Sequence, residues 1–270
     1  MKRLVSYQPQ YFPRLHYFAR ILNTDVFLIA DNVQFVRKHA YHKPDGSNLI
    51  GPSYQAHTPV KSAAGLLMLD FPTKHSGHQG IHETALGFAK PIERTKHLRI
   101  IAEQYRKAPQ FSHVYPALEE FWTRGYATVA ELNIASTAWG LAHLFELPTA
   151  TEKDVCSALP HQDFRLSEVV RASESGVPIS DKASGRDAND WLVDLCEKYG
   201  ADEYYFGGTG GAAYMDFSKF ERAGIALKEQ NWTLTPYPQL GGGFVGNLSI
   251  IDLLMNVPPA EARAILRSTD

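Results

Sequence analysis

Residues 4–31 read LVSYQPQYFPRLHYFARILNTDVFLIAD. Leu4–Tyr7 has the length and apolar character of a short buried strand, broken by Pro9. Gln8 to Pro13 (QPQYFP) is too rich in proline for a helix interior. Tyr17 to Leu22 then offers a helix with Phe18, Ile21 and Leu22 on one side. Asn23-Thr24-Asp25 turns it, and Val26-Phe27-Leu28-Ile29-Ala30 has the unbroken apolar run of a buried strand. Strand, loop, helix and strand within about 30 residues is the grammar of a parallel sheet. The expected fold is therefore α/β, with a parallel or mixed central sheet opening on a βαβ unit. A right-handed crossover leaves the QPQYFP loop and Asp31 at the carboxyl ends of adjacent strands, where such sheets place ligands.

Outward from this unit the pattern changes. Residues 43–90 are rich in Gly, Pro, Ser and His and read as hairpin and loop. Helical spacing dominates from about 92 to 146, over Ile92–Arg106, Val114–Arg124 and Thr128–Phe145, a mostly helical insertion. Ala188, Trp191, Leu192, Leu195, Cys196 and Tyr199 then recur at helical intervals, with Gly200 as a stop and Glu203–Phe206 as a strand. Ser249 and Asp252, three apart, resemble a capping box ahead of Ile250, Ile251, Leu253 and Leu254. Val257-Pro258-Pro259 stops that helix, and Pro259 suits the first position of a closing one. With no repeat or low-complexity linker, one α/β domain over 1–270 is expected.

Composition bounds the function. Of 270 residues, 44% are hydrophobic and 21% charged, which excludes a disordered or fibrous chain. The net charge of -2 argues against a dedicated nucleic-acid binder. Cys156 and Cys196 form neither a disulfide framework nor a zinc signature and read as buried small hydrophobes. The N-terminus lacks a signal-peptide apolar run and no stretch is long enough to span a membrane, so a cytoplasmic protein is expected. The charge is unevenly placed. Residues 1–43 hold seven basic side chains against Asp25 and Asp31, a local +5 that leaves -7 for residues 44–270. Such a segment suits a small anionic ligand, or is an uneven solvated face.

Three stretches could carry chemistry. In the first, two prolines stiffen the chain just past a strand, Gln8 and Gln10 offer amides, and His16 falls near a helix start, where it could act as base or phosphate donor. The competing reading is a rigid turn with His16 satisfied in the first helical turn. The second runs from Asp31 through Gln34, Arg37, Lys38 and His39 to Tyr41-His42-Lys43. A carboxylate at a strand end with nearby cations can orient a substrate amine; an edge strand with a basic face is the alternative. The third, Tyr205-Phe206-Gly207-Gly208-Thr209-Gly210-Gly211-Ala212-Ala213-Tyr214, runs a strand into four glycines that could cradle an anion or simply turn. Its spacing fits neither the dinucleotide nor the ATP-loop pattern. His75, His78 and His82 lack an interleaved acid, and Gly77 and Gly80 disfavour a helix there, so no metal site is expected.

Jointly these stretches resemble the WbqC-like proteins. The resemblance rests on QPQYFP with Tyr17-Phe18, Asp25-Val26-Phe27 and Asp31-Asn32-Val33-Gln34-Phe35. It continues in Lys96-His97-Leu98, Tyr105-x-Lys107-Ala108-Pro109, Glu131-Leu132-Asn133, and Gly200-Ala201-Asp202 leading to Tyr205-x-Gly207. Gly224-Ile225-x-Leu227, Gln230, Tyr237-Pro238-Gln239, Phe244-Val245 and Leu248 to Leu254 complete it. Departures fall at Arg14 to His16, where the family usually has Trp-Gly, at Asn32 for Asp, at His42 for Gln or Asn, and at Gly246 for proline. The resemblance implies a place among surface-glycan or secondary-metabolite biosynthesis proteins, with a glycyl or aminoacyl transferase role suggested.

The leading expectation is a transferase that forms an amide on an anionic, nucleotide-linked amino sugar or metabolite from an activated acyl or aminoacyl donor. His16 is the expected general base and Asp31 the orienter of the amine. Arg37, Lys38 and Lys107 are expected to hold phosphate, Gly207, Gly208 and Gly210 to close over the ligand, and Gln8 and Gln34 to read polar groups. Tyr11, His42, Lys96, His97, Tyr214, Gln230 and Gln239 complete the expected substrate-binding set. An ATP-dependent adenylyl transferase or ligase and a non-catalytic ligand-binding or scaffold protein are the alternatives. Cofactor and oligomeric state stay open.

Overall fold

The computed structural model describes residues 1–42, 48–74, 77–88, 91–148, 151–159, 164–180, 185–207 and 215–267. The opening βαβ unit is present: β1 (Arg3–Tyr7), α1 (Leu15–Leu22) and β2 (Val26–Ile29). The two strands pair in parallel, from Leu4 beside Val26 to Tyr7 beside Ile29. Helix α1 begins two residues before the expected Tyr17. The Leu15 N–H donates to the Leu248 carbonyl and the His16 N–H to Asn247 Oδ1, partners more than 230 residues away that local pattern does not show.

Three further strands, β9 (Glu168–Arg171), β10 (Glu203–Phe206) and β11 (Ala226–Glu229), complete a five-stranded sheet of order β11-β10-β1-β2-β9. Every neighbouring pair in it is parallel. The chain moves outward from β1 through β2 to β9, returns to the other side of β1 at β10, and moves outward again to β11. The direction of winding therefore reverses between β1 and β10, the point at which open parallel sheets form a ligand crevice beyond their carboxyl ends. The fold is α/β.

Side-chain alternation explains why this sheet is covered on both faces. Leu4, Val26 and Leu28 join Trp191, Leu192, Leu195 and Cys196 of α6 (Ala188–Lys198) and Phe220 of α7 (Phe217–Arg222) in one buried cluster. Val5, Phe27 and Ile29 join α1, α8 (Ile250–Asn256) and α9 (Pro259–Leu266) in the other. Successive residues point to opposite faces, so strands buried on both read as continuous apolar runs.

The insertion between β2 and β9 is built of ribbons and helices. Three antiparallel pairs lie in and just before the stretch expected to be hairpin and loop: β3 (Lys38–His42) with β4 (Asn48–Pro52), β5 (His57–Ser62) with β6 (Gly65–Asp70), and β7 (Thr73–Lys74) with β8 (Ala85–Leu86). Helices α2 (Pro91–Tyr105), α3 (Phe111–Thr123) and α4 (Val129–Leu144) occupy the expected helical stretch, and α5 (Glu152–Ala158) follows.

The QPQYFP loop is clamped against this insertion. Asn133 Nδ2 donates to the Pro9 carbonyl, Ser136 Oγ accepts from the Phe12 N–H, and Thr58 and Ser249 hydroxyls donate to the Phe12 carbonyl. Phe12 is held at φ 35, a conformation that costs free energy for a residue with a Cβ and persists only under such constraint. At α8 the expected capping box is half formed. Ser249 accepts from the Ile251 N–H, but the Asp252 carboxylate is taken by Tyr105, Tyr237 and Gln239. Cys156 and Cys196 are buried free thiols. Among the described residues, no helix is long and apolar enough to cross a membrane.

Candidate functional site

Beyond the carboxyl ends of β1, β10 and β11, side chains from four parts of the chain converge. Tyr7 ends β1, His16 and Arg20 lie one helical turn apart on α1, Gly207 follows β10, Gln230 follows β11, and Asn247 precedes α8.

His16 is the centre of the group. Asn247 Oδ1 accepts from the His16 backbone N–H at 3.1 Å and lies 3.0 Å from ring Nδ1. The backbone contact requires the amide oxygen there, so Nδ1 carries the ring proton and Nε2 presents its lone pair. The Tyr7 hydroxyl sits 3.1 Å from Nε2 and donates to it. Burial lowers the ring's pKa to about 4, and the charges of Arg20 and Arg14 add to the shift against the opposing Asn247 bond. At neutral pH His16 is thus an uncharged imidazole of fixed tautomer. Asn247 holds its position at φ 54, a left-handed conformation that asparagine tolerates better than most residues.

Arg20 lies beside this relay. Its guanidinium carbon is 4.5 Å from the Tyr7 ring centroid, and Tyr7 in turn stacks on Tyr17 with centroids 4.4 Å apart. Arg20 Nε donates to Gln230 Oε1 at 2.8 Å, while Gln230 Nε2 donates to the His16 carbonyl at 3.0 Å. The expected ligand-reading Gln230 therefore ties α1 to the end of β11. Gly207 gives the guanidinium room: a β-carbon there would overlap it.

The other expected site residues are placed as follows. Gln8, next to Tyr7, has Oε1 fixed by the Tyr54 hydroxyl at 3.0 Å and Gln55 Nε2 at 2.6 Å, while its NH2 donates to no described residue. Asp31 is 2% exposed, and its carboxylate accepts from the Ser173 N–H and hydroxyl at 2.9 and 2.6 Å. It ties the end of β2 to the turn after β9, which leaves it badly placed to orient an amine. Gln34 is exposed and bonded to His78, and the His82 ring bonds the Asp31 carbonyl. Tyr11 and His97 are buried partners, 2.6 Å apart, with the far nitrogen of His97 donating to the Asp70 carbonyl; they serve the core of the insertion. Gln239 brackets its own loop, with bonds to the Val245 N–H and carbonyl and to Asp252.

The expected phosphate-binding cations are not gathered. Arg37 and Lys38 are exposed at the start of a hairpin, Lys96 is exposed on α2, and Lys107 lines a separate cavity with Lys61, Tyr105 and Leu240. His42 lies in β3, and Gly208, Gly210 and Tyr214 lie outside the described residues. A cavity of about 320 Å³ opens elsewhere, between α3 and α4, with Phe121, Ile134, Trp139 and His143 in its walls; it shares no residue with the site around His16.

Three members of that site were not apparent from the sequence. Tyr7 read as a strand residue and Arg20 as one of seven cations. Arg20 is four residues after His16, a spacing that places both on one helix face, and that signal was available. Asn247 has no local signal, since only the fold brings it to His16.

A doubly wound open parallel sheet with a polar cluster at its switch point defines the class: an α/β protein with a crevice beyond the carboxyl ends of its strands. Within that class the chain belongs to the WbqC-like protein family, which it matches over residues 8–264. It is 26% identical over 270 residues, spanning 99% of this chain and 98% of the relative, to an uncharacterized protein of Mycobacterium tuberculosis, Rv1507c. No solved structure matches the chain significantly.

Proposed function

We propose that the protein is an amide-forming transferase acting on an anionic, nucleotide-linked amino sugar or a similar metabolite. The observation that carries this reading is the neutral His16 imidazole, its tautomer fixed by Asn247 and its Nε2 lone pair turned to Tyr7 at the switch point of the sheet. In the reaction a substrate amine attacks the carbonyl of an activated ester or thioester. A C–N bond forms and the carbonyl–oxygen or carbonyl–sulfur bond breaks. The amine proton passes to the Tyr7 oxygen as the Tyr7 proton moves to His16 Nε2, and the imidazolium then returns a proton to the leaving alkoxide or thiolate. The NH2 of Gln8, which donates to no described residue, lies one residue from Tyr7 and is suited to hold an acceptor oxygen of the substrate. Asp31 has no part in this scheme, because Ser173 occupies its carboxylate.

A proton relay of this kind contributes roughly 10²–10⁴-fold in rate. The test supplies the purified full chain with aminoacyl and acyl thioesters and a panel of nucleotide-linked amino sugars, with products read by mass spectrometry. The expected result is a product heavier than the acceptor by one acyl group less a hydrogen, formed about 10²–10⁴-fold more slowly by His16→Ala. Equal turnover in that variant removes His16 from the chemistry. Stoichiometric binding without product from any donor favours the ligand-binding alternative.

A further inference from the structure

Arg20 is only 8% exposed, yet no carboxylate lies within ion-pair distance of it among the described residues. A buried cation without a counter-charge costs free energy, so such a group points to a partner supplied from outside. Among the described residues the guanidinium makes one hydrogen bond, Nε to Gln230, which fixes its plane, and the Tyr7 ring supports its face. The two outer nitrogens donate to no described residue. They lie against Gly207 at the carboxyl end of β10, where the missing β-carbon leaves them room. The other obvious anion donors nearby are occupied: the first N–H groups of α1 go to Leu248 and Asn247.

We propose that Arg20 anchors a phosphate oxyanion of the ligand at the carboxyl ends of β1 and β10, through its two outer guanidinium nitrogens. The planar fork matches a phosphate in two parallel charge-assisted bonds, which an ammonium cannot reproduce. This places the anion one helical turn from His16 and beside Tyr7, so that the charged part of the substrate sets the position of its reacting amine. The anchor takes over the role that sequence pattern gave to Arg37, Lys38 and Lys107. It rests on the reading of this crevice as the substrate site but requires no turnover.

The test is calorimetric titration of the full chain with pyrophosphate, and with acetate as a carboxylate of comparable accessibility. Wild type is expected to bind pyrophosphate, and Arg20→Met and Arg20→Lys to weaken it by about tenfold or more. Gly207→Ala, which displaces the guanidinium without removing it, is expected to weaken binding too, and keeps the test open if Arg20→Met fails to fold. Absence of pyrophosphate binding at millimolar concentration, or unchanged affinity in folded Arg20→Met, would overturn the anchor. Acetate bound as tightly as pyrophosphate overturns its selectivity for phosphate. Pyrophosphate held through Arg20 with no acyl transfer from any donor defeats the transferase reading alone, whereas His16-dependent transfer with Arg20→Met unaffected defeats the anchor alone.

Discussion

His16 concentrates the chemistry of the molecule in one titration. Its ring is expected to protonate near pH 4 rather than 6.5, followed through its Cε1 proton by nuclear magnetic resonance; a midpoint near 6.5 would contradict the buried relay. The sign for stability follows from linkage. The folded ring binds its proton less readily than the unfolded one, so this contribution is complete above about pH 6.5, falls as the pH drops, and is gone below about pH 4. Its size is about 3 kcal/mol, to be read from urea unfolding at pH 7 and pH 4.5. Asn247→Ala removes the acceptor of both the ring proton and an α1 N–H, and an alanine at φ 54 is strained. It should destabilise the fold by about 1–3 kcal/mol and release the tautomer, visible in the ring nitrogen shifts. His16 was legible as a polar residue at the helix start after a predicted strand, and Gln230 only through the family resemblance. Their partners were not, because Asn247 reaches His16 from 231 positions away.

At the scale of elements, glycine and a buried carboxylate decide two contacts. Gly140 in the middle of α4 lies against the Phe18 ring of α1, and a β-carbon there would sit 2.6 Å from it. Helix propensity favours Gly140→Ala by about 1 kcal/mol, but overpacking costs about 1–3, so the variant should be less stable in urea unfolding. Asp252, fully buried on α8, accepts from the Tyr105 and Tyr237 hydroxyls and from Gln239. Burial raises its pKa, and these three donors oppose the shift. Asp252→Ala leaves the two buried hydroxyls without their acceptor and removes one of the Gln239 bonds, and should cost about 3 kcal/mol or more in the same measurement, with loss of order in the loop that Gln239 brackets. The strands of the βαβ opening and β10 were readable because burial on both faces leaves an apolar run. β9 (EVVR) and β11 (ALKE) were not, since strands of four residues at the sheet edges, with one buried side chain in β9 and none in β11, carry no clear period. The Ser249–Asp252 pair shows the opposite error: the spacing was right for a cap, and tertiary donors claimed the carboxylate.

Over the whole molecule, the order β11-β10-β1-β2-β9 puts the two ends of the chain at one crevice, with α1 from the start and Asn247 from near the close. The same folding redistributes the basic N-terminal segment. Lys2 pairs with Glu168, and Arg3 with Glu203 while stacking on Tyr205, so these cations join strands rather than hold ligand. Arg37 and Lys38 lie exposed on the hairpin. Of the cations in that segment, Arg20 is the one buried at the crevice. An anion bound there offsets the positive field that helps to keep His16 from taking a proton, and strengthens the imidazole as a base when substrate is present. The most direct measurement is the His16 ring titration repeated with a saturating nucleotide-linked amino sugar. The account predicts that its pKa rises from about 4 towards the ordinary histidine value, and that the rise disappears in Arg20→Met. No binding of such a ligand, or binding that leaves His16 titrating as before, would contradict it.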